Sequence, residues 1–117
     1  MTRPLLVWGL ALALGVPQPM VADTASDPEL LRGIRQVEEG EFDAAALTLD
    51  AVARRAREHG STDRARAELY LGVAYAGLAH EATAKSHFVQ ALEIDRGLTL
   101  SARQFPPRVL QLLEEAR

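Results

Sequence analysis

The stretch Glu68–Arg96, ELYLGVAYAGLAHEATAKSHFVQALEIDR, constrains the chain more than any other. Leu69, Leu71, Val73, Tyr75 and Leu78 precede the segment Ala79-His80-Glu81, and Ala84, Phe88, Ala91, Leu92 and Ile94 follow it. Apolar residues recurring at this spacing predict two helices joined by a tight turn. Small residues fall where those helices must meet. Gly72 and Ala84 allow close approach, Tyr75 and Phe88 fill the space beside the contact, and Ala91 leaves room for a further helix. Gly97 is placed to end the second helix.

The residues upstream repeat this plan. Asp27-Pro28-Glu29 combines an N-cap, a proline at the first helical position and an acidic first turn. Leu30, Ile34 and Val37 then follow at helical spacing, and Gly40 breaks the pattern where a turn needs positive φ. Asp43 is placed to cap a second helix whose apolar face is Ala45, Ala46, Leu49, Val52, Ala53 and Ala56. Gly60 is a natural terminator after Arg54, Arg55 and Arg57, which suit the negative end of the helix dipole. Ser61-Thr62-Asp63 offers capping side chains for the next helix.

Leu71-Gly72, Tyr75, Ala84, Phe88 and Ala91 stand at the spacings of a known pattern, and this stretch resembles a tetratricopeptide repeat, with its period of about 34 residues. The earlier pair lies on the same frame. Gly33 falls at the place of Gly72, Ala45 at that of Ala84, Leu49 at that of Phe88 and Val52 at that of Ala91, always 39 residues apart. Gly40-Glu41-Phe42-Asp43 looks like the family's turn. Glu68, Ala79 and Arg96 depart from the family's aromatic, turn glycine and closing proline, and Gln36 stands where the repeat has Tyr75. The resemblance implies an all-α fold of antiparallel helix–turn–helix repeats, an α-solenoid fragment with repeats at about 26–60 and 63–97 and a capping segment over 98–117.

The C-terminal segment fits that role. Phe105-Pro106-Pro107 halts any preceding helix and opens a new one, in which Val109, Leu110, Leu112 and Leu113 form an apolar face. A stack of repeats exposes an apolar end that a terminal helix covers. Phe105 is the expected anchor, set against the last helix of the second repeat. Two repeats make a thin core, so completion by a partner or a second copy is expected.

At the other end, Met1–Ala22 has a positive residue at Arg3, an uncharged apolar run from Leu5 to Val16, and Pro17 and Pro19 before Ala22. This is the pattern of a cleaved export signal, too short to span a bilayer of about 20 residues. The expected location is therefore periplasmic or secreted. No cysteine is present, which excludes lipid attachment, disulfides and thiolate metal sites. Residues 23–117 carry twelve basic residues against sixteen acidic ones, a poor balance for binding nucleic acid. Aromatic residues are only 5% of the chain, so the core must be built from Ala, Leu and Val.

No catalytic constellation can be assembled from these residues. His59, His80 and His87 lack the spacing of helical metal ligands and read as surface histidines. Glu68 is expected to face solvent at a helix start. No catalytic, cofactor-binding or metal-binding residue is assigned. What remains is binding. The resemblance implies that the first helix of each pair lines a concave groove, here Leu30, Ile34, Val37, Arg66, Leu69, Tyr70, Val73 and Ala76. Leu30, Ile34, Leu69 and Val73 occupy the places of the family's carboxylate-clamping polar residues, so an apolar segment of another protein is the expected ligand. The alternative is self-association through the same groove.

Overall fold

Asp27 caps the first helix of the described residues, and its carboxylate accepts the Glu29 N–H at 2.8 Å. In this computed structural model, residues 27–59 and 62–117 are described. The export signal expected over residues 1–22, the Gly60 terminator and Ser61 lie outside them. Among the described residues five helices follow in order: α1 (Pro28–Glu38), α2 (Phe42–His59), α3 (Asp63–Gly77), α4 (Glu81–Ile94) and α5 (Pro107–Ala116). The fold is all-α, and no strand occurs among the described residues. No described helix is long and apolar enough to cross a membrane.

Each helix packs on the next, and α1 also touches α3. The result is two helix–turn–helix pairs and a terminal helix around one continuous core. Leu30, Leu49, Val52, Leu71, Phe88 and Leu112 are its most deeply buried large apolar side chains.

Glycine decides the approach within each pair. A methyl group built on Gly33 would overlap the Leu49 side chain, and one built on Gly72 would overlap the Phe88 ring. Leu49 and Phe88 thus sit in seats that only a missing Cβ leaves open. The two turns are also alike. Gly40 (φ 79°) and Ala79 (φ 65°) both adopt the left-handed conformation that closes a helix C-terminus. Glu41 N–H donates to the Gln36 carbonyl and His80 N–H to the Tyr75 carbonyl, each at 2.8 Å.

Several local expectations fail for identifiable reasons. Helix α2 begins at Phe42, so Asp43 lies inside its first turn rather than capping it. Thr62 has helical dihedrals and makes no capping hydrogen bond. Instead, the Asp63 carboxylate accepts the backbone N–H of Asp27 at 2.8 Å, which ties the start of α3 to the start of α1. Helix α4 ends at Ile94 with Asp95 extended, and the Gly97 N–H donates to the Asp95 carboxylate at 2.9 Å. Gly97 is therefore part of a side-chain turn and supplies no left-handed cap.

Charged contacts join elements distant in sequence. Arg55 on α2 pairs with Asp27 at 2.7 Å. The terminal helix is held by Arg108 to Glu81 at 2.9 Å, by Lys85 to Glu115 at 3.2 Å, and by Arg117, which donates to the carbonyls of Arg96 and Leu98.

Candidate functional site

The predicted groove residues divide into three groups. Leu30 and Leu69 are core, 0% and 3% exposed, and Ile34 is buried beside them in the same cluster. They are buried between the helices of the stack. Val37, Val73 and Ala76 instead line an open cleft of about 550 Å³. Tyr70 does not line it but is half-buried against Phe105, which does, and Arg66 is exposed.

Three parts of the fold form that cleft. The α1–α2 turn supplies Val37, Glu38, Gly40 and Phe42, the second half of α3 supplies Val73, Ala76 and Gly77, and the segment entering α5 supplies Gln104 to Pro106, Arg108 and Val109. Phe42 stands over Gly77, where an added Cβ would meet the ring at 2.5 Å. Phe105 packs edge-on against Tyr70, with ring centroids 6.2 Å apart. Its anchor is thus on α3, where the expected one was the last helix of the second pair. The chain turns back through Ser101–Gln104 after α4 and sets Phe105 over the first helix of that pair, so it becomes a wall of the cleft. Burial pushes the Tyr70 hydroxyl pKa up, with Arg66 opposing and Glu38 adding to the shift.

The charges around the cleft are unevenly paired. Arg108, the one cationic residue lining it among the described residues, is engaged by Glu81 and Glu115. That contact holds the Glu81 carboxyl below its ordinary range. Across the cleft, Glu38 lines the opposite side, and Glu38 and its chain neighbours Glu39, Glu41 and Asp43 are all exposed; among the described residues none of the four forms an ion pair.

A second polar cluster lies apart from the cleft. Glu68 is 1% exposed, which overturns its expected solvent-facing position. Its carboxylate lies 2.7 Å from His87 Nδ1, 3.4 Å from Arg57 and 3.9 Å from Arg64. His87, expected at the surface, is mostly covered and stacks on Tyr75 with centroids 5.4 Å apart, and His80 stacks on the same tyrosine. Glu68, Arg57 and His87 join α3, α2 and α4. None of them lines the cleft, so the cluster holds the helices that shape it.

Gly33, Ala45, Leu49, Leu71, Gly72, Ala84, Phe88 and Ala91 are all buried, and Tyr75 is partly buried. Phe42, Gly77 and the acidic lip escaped the sequence reading, though the run Glu38-Glu39-Gly40-Glu41-Phe42-Asp43 carried a signal: charge concentrated around one aromatic. No family model, curated protein sequence or solved structure matches the chain.

Proposed function

We propose that this chain is a non-catalytic interaction module of tetratricopeptide-like architecture, which holds an apolar segment of another protein in the cleft between α1, α3 and the segment entering α5. The apolar lining of that cleft carries the reading: Val37, Phe42, Val73, Ala76, Phe105 and Val109 converge on an open volume of about 550 Å³. Buried or half-buried side chains around an open space gain contact and lose water when an apolar ligand fills it. The paired turns and the recurrence of Gly33–Leu49 as Gly72–Phe88 support the repeat architecture. The expected site of action is the bacterial cell envelope, on the export-signal pattern of Met1–Ala22.

Ala76 is the position to test, because it is partly exposed whereas Val73 is only 3% exposed and a charge there would enter the core. A photo-crosslinking amino acid at Ala76, activated in cells that make the full chain, should yield an adduct containing a different protein. The same group at Leu47, which is 78% exposed on α2, should not yield that adduct. Identical adducts from both positions, or none from Ala76, would sink the reading. An adduct containing only a second copy of the chain would replace it with self-association.

A further inference from the structure

The cleft accepts apolar side chains, but its lip decides what may flank them. We infer that its occupant is a protein segment with an apolar centre and Lys or Arg beside it, an inference that rests on the cleft being the binding site.

Two observations meet here. The first is the apolar lining just described. The second is the charge at the α1–α2 turn. Glu38 lines the cleft itself, and Glu39, Glu41 and Asp43 are its neighbours along the α1–α2 turn and the start of α2; all four are exposed and without ion-pair partners among the described residues. The surrounding cations do not cancel them. Arg108 is committed to Glu81 and Glu115, and Lys85 to Glu115. Arg35 on α1, Arg66 on α3, which acts on Tyr70 together with Glu38, and Arg103 before Gln104 are exposed cations near the cleft among the described residues, three charges against four.

Unpaired carboxylates beside a low-dielectric surface attract cations, and an apolar ligand that excludes water strengthens that attraction. An acidic flanking sequence would meet like charge and be rejected. The same field repels anionic lipid headgroups and nucleic acid, which leaves protein as the macromolecule that the lip and the cleft both accept. Lysine and arginine suit the rim for a further reason: their aliphatic stems cover apolar surface while the charged heads stay in water.

The test uses the full chain and two synthetic peptides. Both have a Leu-Leu-Phe centre, one flanked by lysines and the other by glutamates. At low salt the lysine-flanked peptide should bind about tenfold more tightly, the sum of several exposed pairs. It should shift the NMR signals of Ala76, Phe105 and Val109. The advantage should shrink as salt screens the lip. The exposed double substitution Glu38→Lys with Glu41→Lys should abolish or invert it, while Ala76→Trp, which fills the cleft without changing charge, should weaken both peptides.

Equal affinity of the two peptides at the cleft would overturn the basic-flank inference and leave the cleft as the site. So would a lysine preference that survives the double substitution. If neither peptide shifts the cleft signals, the inference falls, and the Ala76 crosslink then decides whether the cleft reading falls with it. A concentration-dependent dimer in sedimentation, with the cleft signals shifting in the absence of peptide, would name a second copy as the occupant and overturn the inference.

Discussion

Moved forward by 39 residues, the first helical pair falls on the second turn for turn. Helix α1 ends at Glu38 and α3 at Gly77, while α2 starts at Phe42 and α4 at Glu81. The hydrogen bonds from Gly40 to Val37 and from Ala79 to Ala76 are both 3.0 Å. Gly33 makes room for Leu49 as Gly72 does for Phe88. What differs is everything that depends on neighbours. Gln36 stands where the second pair has Tyr75, and its Oε1 is buried without a hydrogen-bond partner among the described residues. Tyr75 instead stacks between His80 and His87. Glu29 and Glu68 occupy equivalent places, yet Glu29 is exposed and pairs with Arg32, whereas Glu68 is buried under three cationic or imidazole groups. The backbone of a pair is therefore a local property, and the fate of its polar residues depends on its place in the stack.

The glycine seats offer the strongest way to break this likeness. Gly72→Ala should cost about 3 kcal/mol in urea unfolding, as overpacking of a full core does. Gly33→Ala should cost less, about 1–2 kcal/mol, because the branched end of Leu49 can change rotamer more easily than the Phe88 ring can leave its seat. Equal costs would mean that the two seats are mechanically the same.

Next in size is the carboxylate pair. Glu68→Ala should destabilise by about 2 kcal/mol, since the hydrogen bonds of a buried carboxylate to charged groups are lost. Arg57 remains 44% exposed and can recover water, which keeps the loss moderate. Glu29→Ala, at an exposed pair, should cost under about 0.5 kcal/mol. Thermal melts of both variants check the contrast.

The turns should respond with opposite signs. Ala79→Gly relieves a left-handed alanine and should stabilise by about 0.5–1 kcal/mol. Gly40→Ala should destabilise by a similar amount, through conformation alone, because no atom lies within 4 Å of where its Cβ would be. If Ala79→Gly is neutral, the two turns are not equivalent.

The smallest effect is expected in acid. The Arg55 hydrogen bond holds the Asp27 carboxyl below its ordinary value, helped by the Glu29 N–H and opposed by burial. A depressed folded pKa contributes stability that is fully present above the unfolded value of about 3.9. That contribution is lost as pH falls through the lower folded value. Chemical denaturation across this window should show the wild-type curve approaching that of Asp27→Asn as the carboxylate protonates. Curves that stay parallel would show that the Asp27–Arg55 pair is silent.

Much of the fold was legible because its causes are local. Pro28 after Asp27, Gly40 at a turn, and small residues spaced against Leu49 and Phe88 act within one helix or between adjacent ones. The candidate site was only half legible. Val37, Val73 and Ala76, on the apolar face of the first helices, line the cleft. Leu30, Ile34 and Leu69 share their periodicity but lie inside the core. Spacing along a helix says which face is apolar and is silent on which turn of that face another element covers.

The helices, the turns and the small-against-large contacts follow from local sequence, since side-chain volume and backbone freedom act at short range. Tertiary structure decided that Glu68 is enclosed while Glu29 is not, because the end of α2 brings Arg57 to Glu68 and α4 brings His87. It also decided that Phe105 rests on Tyr70 and closes a cleft beneath an acidic lip. Burial and field are sums over neighbours remote in the chain, and only the folded arrangement says which neighbours those are.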